Sequence, residues 1–138
     1  MTNHPHPTPG VLPDHAITAL WDSGALAAHS PPVNDQIQPA SLDLRLGDVA
    51  YRMRASFLPG AGRAVADRIA DFEMHRMDLR PGAVLEKGCV YLVPLQESLA
   101  LPAGISAAGN AKSSTGRLDL LTRLVSDGGT EFDRVPQG

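Results

Sequence analysis

The chain of 138 residues holds one cysteine, so no disulfide can form within it. Cys89 lies inside the apolar run Cys89-Val-Tyr-Leu-Val93 and reads as a small buried hydrophobe. Aromatic residues make up only 4% of the chain, and no stretch approaches the roughly 20 apolar residues that cross a bilayer. A membrane partner is not expected. The formal charge of −3 leaves no basic face for duplex nucleic acid, so any phosphate site must be local. The first 13 residues lack an apolar core and a cationic start, which excludes an ordinary secretory signal. Cytoplasm is the expected compartment.

What is present is punctuation: 13 glycines and 12 prolines, with 43% hydrophobic and 20% charged residues. That composition favours short strands and turns in one modest domain. Residues 1–11 read as a flexible tail, in which His4 and His6 lack a further ligand at metal spacing. Residues 12–138 read as the domain. Ile17, Leu20 and Trp21 recur at helical spacing, which predicts a helix over 13–23 with Asp14 as its cap. Beyond Pro31-Pro32, Ile37, Leu42, Leu44 and Leu46 alternate with Asp43 and Arg45 as one strand, with 49–53 returning as its neighbour.

Val65, Ile69 and Phe72 share a face, which predicts an amphipathic helix or a partly ordered excursion over 63–72. Strands are predicted over 74–79, 83–85, 89–93, 98–101, 105–108 and 118–125, a rhythm typical of an all-β barrel or sandwich. Asp127-Gly128-Gly129 marks a turn, and Phe132 begins a returning arm that stops at Gly138. An unpaired arm leaves ladder groups unsatisfied, so the chain reads as incomplete at its C-terminus. Asp43 and Arg45 are assigned to structure or subunit contacts. Glu86 and Glu97, beside turns, read as solvated acids, and His75 as a packed or surface histidine.

One string carries chemistry: Gly109-Asn-Ala-Lys-Ser-Ser-Thr-Gly-Arg-Leu-Asp-Leu-Leu121. Small residues let backbone N–H groups approach an anion, three hydroxyls donate without bulk, and Lys112 and Arg117 supply charge. Ser113 and Arg117 lie four apart, so a single helical turn brings them to one face. On this string alone a structural helix cap remains the rival reading.

Four strings in order resemble the dCTP deaminases of the dCTP deaminase/dUTPase superfamily. Gln38-Pro-Ala-Ser-Leu-Asp-Leu-Arg-Leu-Gly47 resembles an early strand signature and Glu86-Lys-Gly-Cys-Val-Tyr-Leu-Val-Pro94 a middle strand. Leu101-Pro-Ala-Gly-Ile-Ser106 resembles the family's Leu-Pro turn, and Ala111-Lys-Ser-Ser-Thr-Gly-Arg-Leu-Asp-Leu-Leu121 its phosphate motif. The resemblance covers roughly residues 12–133. It implies an all-β, dUTPase-like distorted barrel or jelly roll (β-clip) with one or two short helices.

By the same resemblance Lys112, Ser113, Ser114 and Arg117 line the triphosphate and sugar side of a dCTP site. Lys112, where many members have Arg, gives up the bidentate fork. Backbone near Ser126 and Asp127 meets the pyrimidine, and Asp133 the deoxyribose hydroxyl, although Gly128-Gly129-Thr130-Glu131 lengthens this loop and loosens the register. The family deaminates dCTP to dUTP and ammonia without zinc, using a glutamate as general base. That glutamate is expected after Gly138, and Glu131 is not taken as its substitute. The single cysteine, with no Cys-x-x-Cys, excludes the zinc-deaminase site. Magnesium is expected with the triphosphate, and the assembly is expected to be a homotrimer. A dUTP diphosphatase, a bifunctional enzyme and a non-catalytic nucleotide-binding module remain as alternatives.

Overall fold

The computed structural model describes residues 9–135, so His4, His6 and most of the expected tail lie outside the described residues. In chain order the elements are α1 (Asp14–Asp22), β1 (Leu26–Ala28), β2 (Ile37–Gln38), β3 (Ser41–Leu42), β4 (Val49–Met53), α2 (Ala66–Phe72), β5 (Glu73–Asp78), β6 (Val90–Leu92), β7 (Glu97–Leu99), β8 (Ala107–Ala108), α3 (Ser113–Arg117) and β9 (Arg134–Val135). Strands dominate, and the described residues contain three short helices where the resemblance implied one or two. The strands divide among four small sheets and close no barrel. Two compact units result, one of Met1–Arg45 with Gln96–Leu99, the other of Leu46–Leu95 with Ala100–Gly138.

In the first unit α1 follows Pro13, whose extended backbone and missing N–H suit the position before a helix. Asp14 is the first helical residue and not the cap, its Oδ1 accepting the His15 N–H at 2.7 Å. Gly24, at φ 78°, ends the turn by donating to the Trp21 carbonyl. Ile17 faces inward, where α1 packs on β1, β2 and β3. The single strand predicted from Ile37 to Leu46 is broken. Pro39 has no N–H for a ladder, so β2 turns back on β3 with Ile37 opposite Leu42.

The unit closes on a buried polar network. Leu26 pairs with Leu99 and Ala28 with Glu97, which carries the Glu97 side chain inward until it is 1% exposed. It is therefore not a solvated acid. Its carboxylate accepts the Arg45 N–H at 2.8 Å, the Arg45 Nε–H at 2.7 Å and the Gln36 amide at 2.8 Å. Arg45 also donates to the Pro31 and Ser30 carbonyls, and Gln36 to that of Asp43, so the donors are shared out. Burial pushes the Glu97 carboxyl up, but the hydrogen bonds from Arg45 and Gln36 outweigh it and hold the group below its ordinary value.

In the second unit β4 is the centre of a three-stranded antiparallel sheet, between β5 and β6. It returns beside those strands and not beside residues 37–46, because Gly47 turns the chain toward Pro94. Their N–H to O contact is 2.7 Å, and a Cβ on Gly47 would stand 2.9 Å from the same oxygen. Ala50 and Met53 of β4 are buried. The strand predicted at 83–85 is absent: turns at Gly82 and Gly88 leave only five residues between them, and Val84 is 84% exposed. Cys89 is half-buried, not buried, with its Sγ accepting from Arg52 at 3.2 Å.

The apolar run 118–125 also forms no strand. Asp119, at φ 58°, redirects the chain after α3, and Leu118 and Leu121 are left 73% and 92% exposed. The returning arm does form, as β9 on β8, with Ala107 opposite Val135.

Removing one member of a buried ion pair leaves the other uncompensated, at a cost of about 3–5 kcal/mol. Glu97→Ala is expected to lower stability by that amount in urea unfolding, and Glu97→Gln by less. Because the folded carboxyl sits below its ordinary 4.5, its stabilising contribution is complete above that pH and is lost as pH falls through the lower folded value. Unfolding measured from pH 6 downward is expected to show this loss in the native protein and a flatter acid limb in Glu97→Gln.

Candidate functional site

The phosphate string becomes a one-turn helix. Lys112 is extended, at φ −63° and ψ 140°, and its carbonyl accepts the Thr115 N–H at 2.9 Å to start α3. Gly116 inside the turn and the left-handed Asp119 after it keep the helix to five residues. Ser113 and Arg117, at its two ends, share a face. Lys112, Ser113, Ser114 and Arg117 are all exposed to solvent. The string thus presents two cations and two hydroxyls outward from a short rigid turn, which suits an anion carrying several charges.

The start of the string is tied to the second candidate cluster. A Cβ on Gly109 would come within 2.7 Å of Leu124 Cδ2, so the missing side chain lets the two segments lie close without shifting Leu124. The Gly109 N–H donates to the Asp133 carbonyl at 2.9 Å, and the Asp133 N–H to the Leu124 carbonyl at 2.9 Å. Asp133 itself adopts φ 64°. Its Oδ1 accepts the Leu124 N–H at 2.8 Å, and its Oδ2 pairs with Arg123 Nε at 2.7 Å. Arg123 in turn lies 5.4 Å above the Phe132 ring.

Ser126 and Asp127 belong to the same loop. The Ser126 hydroxyl donates to the Arg134 carbonyl at 2.8 Å, and the Asp127 carboxylate accepts the Val65 N–H at 2.6 Å. Beside them is an open cavity of about 440 Å³, lined by Ser106, Gly128, Gly129, Thr130, Glu131 and Arg134. Glu131 is 69% exposed and forms a loose pair with Arg134. Among the described residues no group of three or more His, Cys, Asp or Glu side chains converges to hold a metal. No helix among them is long and apolar enough to cross a membrane.

Of the seven residues singled out from sequence, four sit on or directly before α3 and three in the loop that follows it. Sequence reasoning missed Arg123 and the partners of Asp127. Arg123 left a signal, since it is the one cation inside the apolar run 118–125. The Val65 contact spans 62 positions and left none.

Comparison with known proteins identifies the family and the fold. The family of the 2'-deoxycytidine 5'-triphosphate deaminase N-terminal domain matches residues 8–138. A dCTP deaminase of Shewanella amazonensis is 30% identical over 125 residues, 83% of this chain and 63% of that protein. A "dCTP deaminase, dUMP-forming" of Dictyoglomus thermophilum is 30% identical over 130 residues, 84% and 60% of the two chains. The crystal structure of 2'-deoxycytidine 5'-triphosphate deaminase from Agrobacterium tumefaciens superimposes with a TM-score of 0.90 at 56% identity, over 94% of this chain and 38% of that one. The chain therefore spans about 60% of the length of these two curated relatives. Its fold is the all-β, dUTPase-like one of that structure. A domain match over nearly the whole chain, with a 56% identical solved relative, establishes that the chain belongs to the dCTP deaminase family.

Proposed function

We propose that the protein hydrolyses dCTP to dUTP and ammonia, and that this chain supplies the triphosphate and sugar side of the site. The observation that carries the reading is α3, which turns Lys112, Ser113, Ser114 and Arg117 outward together. Arg117 and Lys112 neutralise phosphate oxygens while the serine hydroxyls donate to them. Asp133 keeps acceptor capacity after bonding Leu124 and Arg123, because a carboxylate has about four lone-pair sites, and it receives the sugar hydroxyl. The backbone at Ser126 and Asp127 meets the pyrimidine edge.

The reaction adds water at the ring carbon that bears the amino group and expels ammonia. A glutamate acts as general base and returns the proton to the leaving nitrogen. By resemblance this residue follows Gly138. Magnesium accompanies the triphosphate: cations and hydroxyls suit phosphate oxygens and not a metal, so the metal is held by the phosphates. The protein acts as a homotrimer with sites shared between subunits. Leu118 and Leu121, exposed beside α3, support an apolar contact there.

A second reading is favoured by the Dictyoglomus relative, a dUMP-forming dCTP deaminase. In that reading the same site deaminates dCTP and then cleaves the triphosphate, with a second water attacking phosphorus and pyrophosphate leaving.

The protein at its natural length, given dCTP and magnesium, is expected to release ammonia and dUTP. Appearance of dUMP and pyrophosphate selects the second reading, and a folded protein with no turnover refutes both. Arg117→Ala removes a charge-assisted contact worth about 1.5–3 kcal/mol, so KM for dCTP is expected to rise roughly 10- to 100-fold. Lys112→Arg restores a bidentate donor and is expected to lower KM several-fold, whereas Lys112→Ala raises it. Steady-state kinetics on the three variants checks both.

A further inference from the structure

The loop 126–134 is held from two sides. Asp133 fastens one end of it to Leu124 and Gly109. The other end meets the segment leading into α2, through three hydrogen bonds. The Val65 N–H donates to Asp127 Oδ1 at 2.6 Å, the Gly128 N–H to the Arg63 carbonyl at 2.8 Å, and the Gly60 N–H to the Gly129 carbonyl at 3.0 Å. Gly129 is buried at this junction, and a Cβ there would stand 2.8 Å from the Ser126 carbonyl oxygen.

The segment on the far side of these bonds is itself stiff. Phe57 and Phe72 stack with ring centroids 5.2 Å apart and planes 9° from parallel, and Arg68 lies 5.5 Å over the Phe72 ring. Arg68 also pairs with Asp71 at 3.2 Å. The stretch 63–72, which reads from sequence as an amphipathic helix or a partly ordered excursion, forms α2 and has its own packing. Of the three bonds to the loop, two join backbone to backbone. Only the Asp127 bond depends on a side chain, and it is the shortest of the three and the one with a charged acceptor.

We infer that Asp127 is a positioning residue, whose carboxylate locks the 126–134 loop to the Val65 N–H and so holds Ser126 and Asp133 where the base and sugar bind. The inference rests on the nucleotide reading given above and extends it to the Asp127 side chain and to the segment 57–72, neither of which that reading places on the nucleotide. The excursion 57–72 is then a rigid buttress for the sugar and base side of the site, with no part in holding phosphate. A loop placed before the ligand arrives loses less freedom on binding, and small displacements of it weaken the reaction.

The test uses the natural-length protein and two ways of cutting one bond. Val65→Pro removes the donor while keeping the observed φ of −58°, and Asp127→Ala removes the acceptor. Both are expected to lower kcat/KM for dCTP about tenfold, the low end for a bond to a charged group. Inhibition by inorganic triphosphate is expected to stay unchanged in both, since that ligand reads only the phosphate side. Amide hydrogen exchange across 126–134, measured without nucleotide, is expected to quicken in both. Asp127→Asn, whose amide oxygen still accepts, is expected to recover most of the loss, and the double variant to be no worse than Asp127→Ala.

Wild-type kinetics in Val65→Pro beside an impaired Asp127→Ala would mean that the Asp127 carboxylate touches the nucleotide directly, and would overturn the inference. Unchanged exchange across the loop in both variants would overturn it too. A native protein that turns over neither dCTP nor dUTP refutes the nucleotide reading and the nucleotide part of this one. The exchange measurement needs no nucleotide and then decides the brace by itself.

Discussion

The second unit is organised around Asp133. In a left-handed conformation its peptide reaches both ways at once, its carbonyl accepting from Gly109 and its N–H donating to Leu124, while its carboxylate caps the Leu124 N–H and pairs with Arg123. Three stretches of chain are joined there: the start of the phosphate string, the apolar run after α3, and the arm that becomes β9. An aspartate is among the few residues other than glycine that visit this backbone region, because a short polar side chain can bond locally. The same side chain that relieves the strained turn also carries unused lone pairs for a ligand.

Little of this architecture rests on a large apolar core. Five hydrophobic residues are buried among those described, whereas Leu118, Leu121 and Val84 stand largely in water. Directional bonds therefore take a larger share of the ordering. In the first unit the buried Glu97 carboxylate and Gln36 join the half-buried Arg45 in one hydrogen-bonded network. Such a network is unforgiving of single losses, because each unpaired group would remain out of water. It also gives Arg45, within the early strand signature of the family, a structural role.

In the proposed reading the two clusters of the candidate site solve different problems. A triphosphate is a diffuse, highly charged target, and long cations on an exposed turn can follow it without exact placement. A pyrimidine and its sugar demand fixed donors and acceptors, and the loop that would meet them is bonded at both ends before any ligand is present. Gly109 links the clusters: its lack of a side chain lets the phosphate string lie against Leu124, and its N–H reaches Asp133.

Local chemistry settled a good part of this protein in advance. The α1 helix follows from the spacing of Ile17, Leu20 and Trp21, and β5 and β6 from short runs between turns. The family was legible too, because four short strings in a fixed order constrain far more than any one of them. Elsewhere local pattern misled. Residues 37–46 alternate like a strand, but alternation does not register that Pro39 cannot join a ladder. The run 118–125 is apolar like a strand, but the hydrogen bonds of Leu124 go to Asp133, which only folding brings near. Glu97 looked solvated because its partners, Gln36 and Arg45, are 61 and 52 positions away. The cations and hydroxyls gathered at 112–117 were determined by sequence; which carboxylates are buried or braced was decided by tertiary structure, since those states depend on donors that approach from distant parts of the chain.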